Sequence, residues 1–372
     1  MNRRDFTRIS GLGALVMHAI PKVTAGSMLA TESDNIPSAE AVSRLHVPLG
    51  IGNHSLRAWR PNATELVDFA IEYRLDSVQF NTLAPFERLD EQHLKKLKKH
   101  ALAHDISIYV GVGGICEKSD KFNNSFGDAD TLVKEGIRVA TALGSPVVGV
   151  RIGVLDDRYS GGGIRPKMEE VIKRMRSFRS RITDAGVKFA FENHAGDMRT
   201  EELLELIEAT GTDICGAFFD PGNATYAMED PKTAMEAVGK HILCCSARDV
   251  VIWQTDDGAM FQWTAVGEGI MDYKSYAQFM AEHCPGVPIH LEIISNSPRS
   301  IPFLQDAYWE GWPDLEAAGI IDFLKMTRKG QPLEVDQAPP GMDRKTFEMK
   351  NQEDELLRSV YYLRNECGVG LK

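Results

Sequence analysis

The sequence predicts a (β/α)₈ barrel, the TIM-barrel architecture, with a C-terminal helical extension. Two observations carry this prediction. Short apolar runs alternate eight times with longer segments of helical period, and the alternation fills roughly 280 residues, which is enough for such a barrel. A doubly wound open sheet is the alternative. It is disfavoured because no glycine-rich phosphate loop opens the first helix.

The predicted strands are the apolar runs between the helical segments. In chain order they are Val47–Gly52, Ser77–Phe80, Ile106–Gly111, Pro146–Ile152, Val187–Glu192, Ile214–Phe219, Ile242–Ala247 and Pro288–Ile293. The clearest helix is predicted from Pro166 to about Asp184, because a proline lies in its first turn and Met168, Val171 and Ile182 fall on one stripe.

Residues 46–330 form the predicted barrel, and residues 331–372 hold a linker and a final helix. Pro332, Pro339 and Pro340 mark the linker, and the charged helix is predicted from about Asp343 to Glu366. Its apolar side is expected to pack on the barrel or on a second subunit, so a homo-oligomer is an open expectation. That side consists of Leu356, Leu357, Val360, Tyr361 and Leu363.

The N-terminus predicts an export signal. A basic stretch, Asn2–Arg8, precedes an apolar stretch, Ile9–Ile20, and its Arg-Arg-x-Phe motif resembles the twin-arginine type. About 12 apolar residues are too few to span a bilayer of about 30 Å. Residues 1–25 are therefore predicted as a signal peptide and residues 26–45 as a linker, with the mature protein periplasmic and without a membrane span.

Composition narrows the classes of partner. The 42 Lys and Arg residues against 53 Asp and Glu residues give a net charge of −11, which disfavours nucleic acid and anionic membrane surfaces. A hydrophobic fraction of 43% is that of an ordinary globular protein and excludes a disordered chain.

Polar residues finish four of the predicted strands, where packing does not explain them. The active site of such a barrel lies at the carboxyl ends of its strands, so these side chains are expected to converge. Three carboxylates there would repel one another unless a cation lay between them or one held a proton, and oxygen ligands favour Mg²⁺ or Mn²⁺. The residues are Glu192, Asn193 and His194 on strand five; Asp220 and Asn223 on strand six; Ser246, Arg248 and Asp249 on strand seven; and Glu292 on strand eight.

This pattern resembles the xylose-isomerase-like barrels, which include sugar-phosphate isomerases and epimerases. The resemblance covers roughly Val47–Gly330 and rests on F-E-N-H, F-D-P-G-N, G-E-G around Glu268 and the L-E of strand eight. It implies that Glu192, Asp220 and Glu292 bind one divalent metal ion and that the two glutamates move a proton.

Strand seven departs from the family pattern. The family usually carries His-x-Lys-Asp there, whereas this chain has Ser-Ala-Arg-Asp, with Ser246 at the ligand position. A hydroxyl is a weaker ligand than an imidazole. The resemblance therefore leaves three expectations open: lower metal affinity, a water in the vacant position, or loss of the metal.

Other polar residues are expected around the same mouth as substrate-binding groups. His194 shares a strand face with Glu192, so it is expected to ligate the ion, to contact a sugar hydroxyl, or else to bond to backbone. Arg151 is expected either to balance the carboxylates or to bind substrate. The full predicted set is His194, Asn223, Arg151, Arg248, Asp249, Glu268, His54 and Asn81.

Taken together, these features predict a metal-assisted isomerase or epimerase that removes a proton next to the carbonyl of a sugar or keto-sugar, with Glu192 and Glu292 as base and acid. One alternative is a lyase that cleaves 3-keto-glycosides by β-elimination after the same deprotonation. The other is a carbohydrate-binding barrel without catalysis. The substrate is expected to lack phosphate, because the loops show no glycine-rich phosphate cradle.

Overall fold

A computed structural model describes residues 43–372, so the predicted signal peptide and most of the predicted linker lie outside the described residues. The strands are β1 (Leu49–Gly52), β2 (Ser77–Phe80), β3 (Ser107–Gly114), β4 (Val147–Arg151), β5 (Lys188–Glu192), β6 (Cys215–Phe219), β7 (Ile242–Ala247), β8 (Asp249–Thr255), β9 (Gly258–Thr264), β10 (Ile289–Leu291) and β11 (Arg299–Ile301).

Eight of these strands close into a parallel barrel in the order β1-β10-β7-β6-β5-β4-β3-β2. The closure pairs Gly50 with His290 on one side of β1 and with Ser77 on the other. The predicted (β/α)₈ barrel is therefore confirmed, and each predicted strand lies within a few residues of its observed position.

The helices wrap this barrel. They are α1 (Ala63–Glu72), α2 (Glu91–Leu102), α3 (Ala129–Leu143), α4 (Arg165–Ser177), α5 (Arg179–Ala185), α6 (Thr200–Thr210), α7 (Pro221–Tyr226), α8 (Pro231–Val238), α9 (Tyr273–His283), α10 (Ile321–Thr327) and α11 (Arg344–Asn365). No helix among the described residues is long and apolar enough to cross a membrane.

The helix predicted from Pro166 to about Asp184 is instead two helices, α4 and α5. They meet at Phe178, whose ψ of −1° opens the helical turn. The Phe178 ring is buried, and the Lys134 ammonium and the Arg181 guanidinium each lie 5.9 Å from its centre. Burial of this ring thus coincides with the break, which the continuous apolar stripe does not reveal.

An antiparallel sheet interrupts the barrel between β7 and β10. Strands β8 and β9 form a hairpin, and β11 pairs with β9. This sheet belongs to an apolar cluster that includes Phe261, Trp263 and Trp312. These three aromatic side chains are therefore core residues.

The C-terminal helix α11 begins and ends close to its predicted bounds, and its side chains pack on the loops of the barrel. Trp59 Nε1 donates to Met349 O at 2.9 Å, and Val266 N donates to Ser359 Oγ at 2.9 Å. One predicted apolar contact is wrong. Tyr361 is 67% exposed, because it lies on a different face of the helix from the buried Leu356, Val360 and Leu363.

Candidate active site

Three carboxylates meet at the carboxyl ends of β5, β6 and β10. Glu192 is the last residue of β5, while Asp220 and Glu292 follow β6 and β10 by one residue each. All three are buried, and one oxygen of each lies within 4.8 Å of the others. The convergence expected from the strand ends is present in the structure.

The sequence F-D-P-G-N fixes Asp220 locally. Asp220 caps α7 by accepting Asn223 N at 3.0 Å, and Pro221 occupies the first turn, where its missing N–H costs nothing. The Asn193 side chain pairs with the Asp220 backbone in both directions, each at 2.8 Å. The ends of β5 and β6 are thereby held together.

Glu292 accepts hydrogen bonds from three side chains. Ser246 Oγ donates at 2.9 Å, Asn81 Nδ2 donates at 3.2 Å, and His54 Nδ1 lies 3.2 Å away. Burial alone would raise the pKa of Glu292, but the His54 and Ser246 bonds and the Arg248 charge together hold the pKa below its ordinary value. Glu292 is therefore ionised at neutral pH.

The pKa of Glu192 is displaced in the opposite direction to that of Glu292. One donor reaches it, Asn223 Nδ2 at 3.3 Å, and Arg151 lines the same small recess of the mouth. Burial and the charges of Glu292 and Asp220 raise the pKa of Glu192 well above its ordinary value, although Arg248 and Arg151 oppose the rise. Two carboxyl groups in one site thus differ in their affinity for a proton.

Asp220 is engaged by Arg248. Arg248 binds both carboxylate oxygens, with its Nε 3.2 Å from Asp220 Oδ1. The guanidinium carbon of Arg248 also lies 4.2 Å from the centre of the Trp263 ring. Burial raises the pKa of Asp220, and the Arg248 charge opposes this rise.

The donor atoms fit a hard divalent cation, since all three carboxylates supply oxygen. Ser246, which stands at the expected fourth ligand position, donates its hydroxyl to Glu292. Asn81 and Asn223 each carry a buried side-chain oxygen with no hydrogen-bond partner among the described residues. The nitrogen of the same amide donates to Glu292 in the case of Asn81 and to Glu192 in the case of Asn223. Such orphaned acceptors suit a cation or a substrate hydroxyl.

His194 bonds to backbone, which was one of its three predicted roles. Its Nδ1 lies 2.7 Å from Gly153 O, and its backbone N donates to Asp197 Oδ1 at 2.9 Å. Burial and the Arg151 charge lower the pKa of His194 to about 3, so the ring is neutral and Nδ1–H is the donor. His194 lies outside the metal-ligand geometry that the described residues provide.

The structure does not bring Asp249 and Glu268 into the carboxylate cluster. Asp249 is fully buried and accepts the backbone N–H groups of Val250, Gly267 and Met271, so it organises the loop after β9. Glu268 forms an ion pair with Arg358 of α11, with Nε and Oε1 2.5 Å apart. Their observed contacts are structural.

The contact between Trp263 and Arg248 is the part of this site that the sequence did not predict. A signal for the strand of Trp263 was available, because alternating apolar residues flank the turn residues Asp256, Asp257 and Gly258, as in a hairpin. The stacking of Trp263 on Arg248 depends on tertiary packing and has no local signal.

The barrel and its carboxylate cluster define a class of protein. Residues 67–314 match the model of the xylose isomerase-like TIM barrel family, and the chain belongs to that family.

Particular relatives are distant. The chain is 19% identical over 197 residues to a 3-oxo-isoapionate decarboxylase of Pectobacterium atrosepticum, an alignment covering 52% of this chain and 64% of that protein. It therefore spans less than two thirds of that relative.

Solved structures share the fold. A D-psicose 3-epimerase has a TM-score of 0.54 at 13% identity, covering 86% of this chain and 99% of that chain. A xylose isomerase domain protein from Planctomyces limnophilus has a TM-score of 0.51 at 18% identity, covering 76% and 98%.

Proposed function

We propose that this protein is a metal-assisted isomerase or epimerase that removes a proton from the carbon next to the carbonyl of a sugar or keto-sugar. The observation that carries the proposal is the pair of buried glutamates, Glu192 and Glu292, whose pKa values are displaced in opposite directions within one carboxylate cluster. Membership in the family and the fold shared with a D-psicose 3-epimerase agree with it.

The two glutamates take different roles. Glu292 is ionised and acts as the base, accepting the proton as the C–H electron pair moves toward the carbonyl oxygen. Glu192 approaches from a different strand and acts as the acid that returns a proton to the substrate. Delivery to the opposite face of the same carbon gives an epimer, and delivery to the neighbouring carbon gives an isomer. No electrons are gained or lost overall.

The surrounding residues prepare these two groups. His54, Asn81 and Ser246 orient the Glu292 carboxylate, and Asn223 orients that of Glu192. Arg248 forms an ion pair with Asp220, and its positive charge reduces the repulsion among the three buried carboxylates. A divalent ion held by Glu192 and Glu292, with Asp220 beside them, would polarise the carbonyl and its neighbouring hydroxyl.

A lyase acting on 3-keto-glycosides is the second candidate, because the same deprotonation by Glu292 precedes loss of a substituent from the β-carbon. The decarboxylase named among the relatives also acts, by its name, on an oxo-acid. This candidate shares every residue role assigned above except proton delivery, which goes to the leaving group.

A substrate panel separates these candidates. Free ketoses, 3-keto-glycosides and phosphorylated sugars are incubated with protein loaded with Mn²⁺, and products are identified by NMR. We expect an epimer or isomer from a phosphate-free sugar, and we expect Glu292→Gln and Glu192→Gln each to lower kcat at least about 100-fold. Glu236→Gln makes the same change on the exposed surface of α8 and serves as the control.

Three outcomes would change the assignment. A released aglycone identifies the lyase, and turnover of phosphorylated sugars alone contradicts the phosphate-free substrate. Sugar binding without turnover, unchanged in both glutamate variants, identifies a carbohydrate-binding barrel.

We further propose that the protein is exported through the twin-arginine route and acts in the periplasm. The support is the Arg-Arg-x-Phe motif and the apolar stretch that follows it.

A further inference from the structure

A large cleft lies beside the carboxylate cluster. It has a volume of about 1080 Å³, and its walls are the loop after β1, the loop after β10 and the start of α11. Two of these walls continue directly from the site, because Arg57 follows His54 by three residues and Ser295 follows Glu292 by three. The charge of Arg248, which pairs with Asp220, also acts on Arg57, so this end of the cleft lies near the carboxylate cluster.

Arg57 lines this cleft with an unused charge. Its guanidinium makes no hydrogen bond or ion pair with any other residue between 43 and 372. Burial lowers the pKa of Arg57, and the nearby charge of Arg299 lowers it further. An arginine nevertheless remains protonated at neutral pH, and because Arg57 is exposed, its donors are open to a ligand that enters the cleft.

Arg299 carries a second charge close to the cleft, near enough to lower the pKa of Arg57. Its Nη1 donates to Ser297 Oγ at 2.9 Å, and Ser297 lines the cleft. Its guanidinium carbon lies 5.7 Å from the Trp263 ring centre, on the ring that also contacts Arg248. No carboxylate of the described residues lies within ion-pair distance of Arg299. Arg248, by contrast, is already paired with Asp220.

Charges of both signs line the cleft. Arg60, Arg344 and Lys345 are cationic like Arg57, and Arg344 is paired with Glu348. Asp343 already caps the N-terminus of α11 by accepting Thr346 N at 3.0 Å, so that helix end is not free for a phosphate. The carboxylates of Asp336 and Glu348 line the same cleft and would oppose a dianion. The side chain of Asn351 supplies a neutral group that suits a sugar hydroxyl, whereas the amide of Asn296 is engaged by the Asp336 backbone.

We propose that Arg57 and Arg299 form a subsite for the carboxylate of an acidic sugar, such as a uronate or keto-aldonate, whose carbonyl end lies at Glu192 and Glu292. This proposal rests on the proposed function and specifies its substrate class. A planar carboxylate accepts two parallel hydrogen bonds from a guanidinium, which gives geometric selection as well as charge.

Binding measurements on the purified chain test the subsite without turnover. Isothermal titration calorimetry compares D-glucuronate and D-galacturonate with D-glucose, D-galactose and glucose 6-phosphate at one ionic strength. We expect the uronates to bind at least about tenfold more tightly than the neutral sugars, since a charge-assisted bond contributes that much or more. Arg57→Gln and Arg299→Gln should each lower uronate affinity about 10- to 100-fold and leave neutral-sugar affinity unchanged.

The control is Arg328→Gln, which makes the same change at an exposed residue that does not line the cleft and should alter neither affinity. Thermal unfolding of each variant verifies that the fold is intact. The proposal is overturned by equal binding of uronates and neutral sugars, by no binding of either, or by uronate affinity that ignores both substitutions. Tighter, arginine-dependent binding of glucose 6-phosphate would overturn the carboxylate assignment.

Failure of this subsite and failure of the proposed function give different results. If neutral keto-sugars turn over but uronates show no preference, the subsite fails and the chemistry stands. If uronates bind through Arg57 and Arg299 but no keto-sugar or keto-acid exchanges a proton, the chemistry fails and the subsite stands.

Discussion

Arg248 balances the charge of the carboxylate cluster, and Arg248→Gln measures how much the fold depends on it. Arg248 is 3% exposed and Asp220 is 0% exposed, so the variant leaves a buried carboxylate without its partner. Removing one member of a buried pair costs about 3–5 kcal/mol, and losing the contact with Trp263 adds about 0.5–2 kcal/mol. We therefore expect the free energy of unfolding to fall by about 4 kcal/mol or more, measured by urea denaturation.

A double variant separates the charge from the packing. Asp220→Asn combined with Arg248→Gln removes the carboxylate that Arg248→Gln leaves without its partner, so it should be at least about 2 kcal/mol more stable than Arg248→Gln alone. Mn²⁺ should stabilise Arg248→Gln more than the wild-type protein, because the freed carboxylate gains a cation. A loss below about 1 kcal/mol in the single variant, or a double variant as unstable as the sum of its parts, would refute this reasoning.

Three further predictions concern other parts of the chain. Burial raises the pKa of Glu229 from 4.5 to about 7, so the folded state binds this proton more tightly than the unfolded chain. Wild-type stability should then fall as pH rises from about 4.5 to about 7, by up to about 3 kcal/mol. Urea titrations at pH 5 and pH 8 should show this loss in the wild type and a smaller one in Glu229→Gln; equal losses contradict it. At Gly222 an added Cβ would lie 2.7 Å from Trp263 Nε1. Gly222→Ala should cost about 1–3 kcal/mol in the same assay, and a gain in stability would speak against the packing described. Replacing Arg3 and Arg4 by lysine should abolish periplasmic export of a reporter fused after residue 45, whereas continued export would exclude the twin-arginine route.

The barrel and its carboxylates could be predicted from the sequence because both depend on local pattern. A strand buried on both faces is a short apolar run, and a carboxylate that directly ends such a run must lie at the sheet edge. Glu192, Asp220 and Glu292 satisfy this rule, so their convergence followed from strand order alone.

The partners of those carboxylates could not be predicted in the same way. His54 and Glu292 are 238 residues apart, and the bond between them exists because β1 and β10 close the barrel. Glu268 illustrates the converse. It was expected at the mouth as a substrate-binding group, but it pairs with Arg358, and that ion pair depends on where α11 packs. Pairings set by long-range packing leave no trace in local sequence.

The central claim is that Glu292 removes a proton next to a carbonyl, and incorporation of solvent deuterium tests it most directly. A keto-sugar that the protein binds is incubated in D₂O, and NMR follows the signal of the hydrogen on the carbon beside the carbonyl. The account predicts that the Mn²⁺-loaded protein exchanges this hydrogen and that Glu292→Gln slows the exchange at least about 100-fold. Turnover with no deuterium at that carbon, or exchange that is equally fast in Glu292→Gln, would contradict it.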